Sequence, residues 1–150
     1  MDTRLPPPLV LLLAALGVMA IDALMPGWRL DWPGLRALAV ALGAVALALM
    51  GVAALGFARR HTSIDPVHPD RASHLIVGGP YAISRNPIYL ADGLLLVAWT
   101  LWLGHPAGLA MTPLFIAFID RYQVQPEERA LAVKFGERYR AYCRRVRRWI

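Results

Sequence analysis

Cysteine is almost absent: Cys143 is the only one in 150 residues. That excludes a disulfide-stapled secreted domain. Charge is scarce too, at 17% of residues, against about 25% in ordinary globular domains. With 57% hydrophobic residues and a mean hydropathy of +0.45, the chain buries more surface than ordering it costs, which excludes disorder. Its length fits one domain, 1–150. No room is left for a membrane anchor plus a separate nucleotide-binding domain. Any function is therefore carried by apolar helices and the short polar segments between them.

Four apolar stretches approach the roughly 20 residues that a bilayer core requires. They are 9–24, after Pro6-Pro7-Pro8; 35–58, without charge after Arg36; 88–103, containing Asp92; and 107–121, after Gly104-His105-Pro106. The last tripeptide reads as a tight helical hairpin. A signal peptide is the alternative for the first stretch, with Arg4 as its charged end, but Ala20-Ile21-Asp22-Ala23 makes a poor cleavage region. The fold class is thus all-α integral membrane, with about four transmembrane helices and a cytoplasmic amphipathic C-terminal helix.

Four spans place the N-terminus, the 59–87 loop and the tail on one side, with 14 of the 16 Lys and Arg residues. The positive-inside rule makes that side the cytoplasm, and the expected location is a bacterial inner membrane. The same bias accounts for the +6 charge and a pI near 10.2. Anionic lipid headgroups, not nucleic acid, are the partner it implies. Trp28, Trp32, Trp99, Trp102 and Trp149 fall near span ends, where interfacial anchors sit.

Two polar segments remain. In the first, Leu75-Ile76-Val77 runs into Gly78-Gly79-Pro80-Tyr81, where glycine permits a turn and close approach of a ligand to the backbone. The second, 126–148, reads as one helix with Glu127 and Glu128 in its first turn and arginines in its last. Leu131, Phe135, Tyr139, Tyr142, Val146 and Trp149 recur at steps of three and four, an amphipathic stripe. Glu127 and Glu128 precede Leu131 by four and three positions and so lean towards the packed face. On spacing alone they are better explained as first-turn helix stabilisers.

Several polar residues read as structural. His61, His68 and His74 follow no zinc-ligand spacing and lack accompanying cysteines, so no metal is expected. Asp22 lies near the outer end of the first span, where hydration explains it. Asp92 faces either hydrated headgroups or protein, since acids within membranes are costly. Cys143 reads as a reduced cytosolic thiol.

Taken together, Gly79-Pro80-Tyr81, Arg85-Asn86-Pro87-Ile88-Tyr89, Glu127-Glu128-Arg129-Ala130-Leu131, Phe135-Gly136, Tyr139 and Tyr142 resemble the isoprenylcysteine carboxyl methyltransferase family. These are integral membrane enzymes, with relatives that methylate phosphatidylethanolamine. The resemblance covers about residues 62–150. One position departs: Asn86 stands where the family has histidine. An amide still donates and accepts hydrogen bonds but does not titrate near neutrality, so a positioning role survives and proton transfer does not.

The resemblance implies S-adenosyl-L-methionine (SAM) at the cytoplasmic end of the last two spans, held by Val77, Gly78, Gly79, Tyr81, Asn86, Pro87, Tyr89, Glu127 and Glu128. It implies a lipophilic or membrane-partitioned methyl acceptor, a carboxylate, thiol or amine. Arg85 and Arg121 are the candidate cationic holders of an anionic acceptor. Glu127 or Glu128 is the first candidate base for an amine. A small four-helix transporter using Asp22 or Asp92, and a basic-tailed scaffold, are the competing readings.

Overall fold

Proline sets where the helices begin. Its missing N–H costs nothing in a first turn and its fixed φ suits the helix. In the computed structural model, which describes residues 5–58 and 74–150, α1 (Pro7–Leu24), α2 (Pro33–Ala58) and α3 (Pro87–Leu103) each open on proline. The remaining helices are α4 (Met111–Ile119), α5 (Gln125–Phe135) and α6 (Glu137–Arg145). Short 3-10 turns occupy Pro26–Trp28, Gly79–Ala82 and Pro106–Ala110. Arg4, Arg59, Arg60, His61, His68 and Arg71 lie outside the described residues.

The helices run alternately up and down. One end of the bundle holds the α1–α2 and α3–α4 connections. The Leu30 amide donates to the Gly104 carbonyl (2.7 Å), and His105 Nε2 donates to the Met25 carbonyl (2.9 Å). Beside them Asp22, expected to be hydrated, is buried and takes both Nε and an Nη of Arg29. The opposite end gathers the start of α3, α5, α6 and the tail. There the Tyr81 ring stands edge-on to Phe57 of α2 at 5.5 Å.

Packing divides the helices by surface. Ala39, Ala46 and Ala53, seven residues apart, are buried on α2, and small side chains let α2 run closely along α3. The rest of α2 points outwards, with Leu38, Val40, Val45, Leu47, Val52 and Leu55 all more than half exposed. Apolar surface on this scale is at odds with water and compatible with lipid. Among the described residues, α1 and α2 are long and apolar enough to cross a membrane, while α3 is a shorter apolar helix. The core lies between α1, α3 and α4, where Val10, Ala14, Val18, Leu96, Phe115 and Ile119 meet Tyr89 and Val124.

The second half of the chain departs from expectation twice. The 107–121 span and the helix from 126 were expected as separate pieces, but α4 continues into α5 through a π-helical turn, Asp120–Val124. Pro126 offers no N–H to the ladder and its ring crowds the carbonyl four residues back. A wider turn just before it relieves both problems. The 126–148 segment, expected as one helix, breaks at Gly136 (φ 53, ψ −126), a conformation that side chains other than glycine's rarely tolerate. The stripe consequently folds on itself: Tyr139, Tyr142 and Val146 pack with Leu75, Leu131, Ala132 and Phe135. Trp149, expected as an interfacial anchor, instead packs against the main core, and Trp99 reaches the Ala15 carbonyl (3.3 Å).

Candidate functional site

The diglycine turn is open. Gly79 has φ +61, and a Cβ at Gly78 or Gly79 would meet nothing within 4 Å. Backbone conformation, not crowding, therefore requires the glycine at 79. Val77, Gly78 and Gly79 are exposed and form the outer lip of the polar end. The 3-10 turn that follows buries Tyr81, whose carbonyl accepts a hydrogen bond from the Tyr142 hydroxyl (2.7 Å).

Residues 84–86 are fixed by the tail. Ser84 pairs with Arg147 in a short parallel bridge, and the Arg85 amide donates to the Arg147 carbonyl (3.0 Å). The Arg148 carbonyl receives Asn86 Nδ2 (3.0 Å) and Ser84 Oγ (3.3 Å). Asn86 is buried with its amide donor committed to this strap. Pro87, also buried, starts α3 and aims Tyr89 inwards.

Two carboxylates join this segment to α5. The Tyr89 hydroxyl donates to Glu127 Oε1 (2.7 Å), which also accepts a hydrogen bond from Gln123 Nε2. Arg85 lies 3.0 Å from Glu128 Oε1. Arg148 grips both Glu128 oxygens (Nε to Oε1, 3.2 Å; Nη2 to Oε2, 2.6 Å) and reaches Asp120 at 3.3 Å. Gln125 donates to Asp120 (2.8 Å). The Glu128 side chain is only 16% exposed, a degree of burial at which charge needs partners. The guanidinium groups of Arg85 and Arg148 supply them. The hydrogen bond to Glu128 holds the Arg148 guanidinium above its usual range.

The surrounding phenols are held neutral. Burial pushes Tyr142 up to about 12 and raises Tyr81 and Tyr139 as well. Asp92 is buried on α3, one turn beyond Tyr89. The Arg85 Nε is buried and has no hydrogen-bond partner. Leaving a donor in that condition costs about 1–3 kcal/mol, so Arg85 retains an unused donor.

Arg85, Asn86, Pro87, Tyr89, Glu127 and Glu128 are thus brought together, with Tyr81 beside them. Arg121 is not: it is exposed and, among the described residues, bonds only to Gln125, four positions on (3.4 Å). Gln123, Ser84, Asp120 and Arg148 joined the cluster without being singled out. Gln123 carried one sequence signal, its four-residue spacing from Glu127. Arg148 was one arginine among several in the tail. Among the described residues, no group of three or more His, Cys, Asp or Glu side chains is placed to hold a metal.

Fold and site define an all-helical, membrane-associated protein whose polar end joins two distant sequence segments through paired arginines and glutamates. The model of the phospholipid methyltransferase family matches residues 35–138, more than half of the chain. The chain belongs to this family of membrane methyltransferases, which is related to the isoprenylcysteine carboxyl methyltransferases. An uncharacterized protein of Haemophilus influenzae is 44% identical over 63 residues, covering 42% of this chain and the whole of that protein. No solved structure matches.

Proposed function

We propose that the protein methylates a lipophilic or membrane-partitioned acceptor, a carboxylate, thiol or amine, using SAM at the cytoplasmic face of a bacterial inner membrane. One observation carries the reading. Tyr89 meets Glu127 and Arg85 meets Glu128, so the two halves of the motif, 38 residues apart at the first of these bonds, form one polar cluster below an open diglycine turn. The unspent Arg85 Nε and the carboxylates suit the methionine carboxylate, ammonium and ribose hydroxyls of SAM. Tyr81 and Tyr89 add flat aromatic surface.

Bound SAM would supply a methyl group on a sulfonium leaving group. The chain's own part is to hold and align the reactants and exclude water. Glu127 would accept hydrogen bonds from ribose or ammonium. Arg85, steadied through Glu128 by Arg148, would hold an anionic group. An amine acceptor needs a base, and Glu127 is its candidate. The four-crossing arrangement is supported by the alternation of the described helices and by the sequence count that, in such a topology, assigns 14 of 16 basic residues to one side. A transporter reading gains little from Asp22, which is committed to Arg29 at the far end.

Calorimetry with S-adenosylhomocysteine, the demethylated product, tests this in detergent. Stoichiometric binding is expected, reduced at least tenfold in Glu127→Ala. Absence of binding by well-folded protein refutes the proposal. Labelled-methyl transfer to a host lipid and metabolite extract then identifies the acceptor by mass.

A further inference from the structure

At the bundle end remote from Glu127 and Glu128, the start of α2 and the end of α3 enclose a groove of about 280 Å³. Asp31, Trp32, Leu35, Arg36, Leu101 and Trp102 line it. Its charges are distinctive because they are unspent. The other acid and arginine at this end, Asp22 and Arg29, are joined to each other. Asp31 and Arg36 have no ion pair within 4 Å, with each other or with any other described residue. Asp31 exerts only a longer-range pull on Arg29. Neither indole N–H, of Trp32 or Trp102, is bonded within the described residues.

The walls are fixed in place. The Trp32 ring lies over Gly34 so closely that a Cβ there would come within 2.9 Å of it. The floor is tied by the Leu30–Gly104 hydrogen bond (2.7 Å). Gly104, at φ +70, brings its Cα so near the Leu30 carbonyl that a Cβ would sit 2.8 Å from it. The size is at the lower limit of small-molecule sites, suited to a headgroup and not to a whole lipid. Leu35 and Leu101 continue the groove towards the apolar outer face of the bundle.

We infer that this groove seats the headgroup of a resident zwitterionic phospholipid. Arg36 and the indole N–H groups take its phosphate, and Asp31 with the faces of Trp32 and Trp102 takes its ammonium. Two opposite charges that share a groove yet do not pair are both satisfied by one occupant carrying both signs. The balance of charge at this end, two aspartates against two arginines, favours a zwitterion over an anionic lipid. Ammonium groups gain further from indole faces. The lipid is placed here as a structural ligand, away from the proposed reaction site.

The test uses the full-length protein in detergent, stripped of lipid and titrated with short-chain phosphatidylethanolamine or phosphatidylglycerol. Adducts are counted by native mass spectrometry, with tryptophan fluorescence as a second readout. Phosphatidylethanolamine is expected to bind one-to-one, at least tenfold more tightly than phosphatidylglycerol. Arg36→Gln should weaken it at least fivefold, and Asp31→Asn should bring the two lipids close to parity. Equal binding of both lipids by the unaltered protein would reduce the groove to ordinary aromatic anchoring and overturn the assignment. So would a phosphatidylethanolamine adduct that survives both substitutions, since it would sit elsewhere. The first comparison needs no variant to fold.

Discussion

Tyr89 is the residue on which the two motif halves turn. Its hydroxyl is a single donor to a carboxylate, a bond that contributes about 1.5–3 kcal/mol. Tyr89→Phe should therefore weaken S-adenosylhomocysteine binding roughly tenfold, as each 1.4 kcal/mol is a factor of ten. Calorimetry reads the change, and a circular dichroism melt shows whether the fold persists. The phenols also set an alkaline limit. A tyrosine ordinarily titrates near 10, and Tyr142 does so near 12 in the folded chain. Its raised value means that the folded state holds the proton more tightly. The associated stability is complete below pH 10 and is lost as the pH rises to about 12. Melting temperature should be insensitive to the state of Tyr142 between pH 7 and 9 and fall above 10, with a shallower fall in Tyr142→Phe. At this scale the sequence was informative where chemistry and spacing coincide, as in Glu127 and Glu128 leaning towards the packed face. It was silent on Arg148, because nothing in a run of arginines marks the one that folds back. Asn86 illustrates the same limit, since its donor meets a backbone carbonyl that no residue type announces.

Helix starts were legible because proline has few permitted places; Pro7, Pro33 and Pro87 each mark one. The interior breaks were less so. Gly136 reads in sequence as a tolerable glycine within a helical stripe, yet its φ of +53 with ψ −126 lies where an added Cβ is strained. Space is not the obstacle, as nothing lies within 4 Å of a Cβ there. Gly136→Ala should cost about 1–3 kcal/mol of stability through backbone strain alone, measurable by chemical denaturation. Such a loss would separate α5 from α6, so Tyr139 and Tyr142 should show faster hydrogen exchange in their amides before the bundle melts. The π-helical turn was illegible for a related reason. Periodicity reports which face is apolar, not where one turn holds an extra residue.

Across the whole molecule, two polar clusters sit at opposite ends of an apolar bundle, and the family match, residues 35–138, stops short of the strap that carries Arg148. Arg85 and Arg148 share Glu128, so their effects should not add. Alanine substitutions at both are expected to couple by at least about 0.5 kcal/mol in a double-mutant cycle. The far end should behave independently. His105→Phe, which removes the bond to Met25, should lower the melting temperature while leaving S-adenosylhomocysteine affinity within twofold, and should be additive with Arg148→Ala. A shift in affinity would show that the two ends communicate. The alternating apolar runs and the skew of basic residues led to the bundle. The ties at its ends, Asp22 with Arg29 and His105 with Met25, join residues whose separation in sequence carries no pattern.

The register between α4 and α5 has a consequence for how this chain tolerates length changes. Five residues in a π-helical turn advance about as far around the axis as four in a regular α-turn, so deleting a single position within 120–124 would restore a regular coil and leave everything downstream near its present angle. Glu127 and Glu128 would still face their partners, with Pro126 again crowding the carbonyl behind it. A second deletion finds no such slack and would swing the acidic pair by about 100°. Loss of exposed Tyr122 alone should therefore retain S-adenosylhomocysteine binding, and loss of Arg121 and Tyr122 together should abolish it. The spare residue is slack that shields the acidic pair from a change of length.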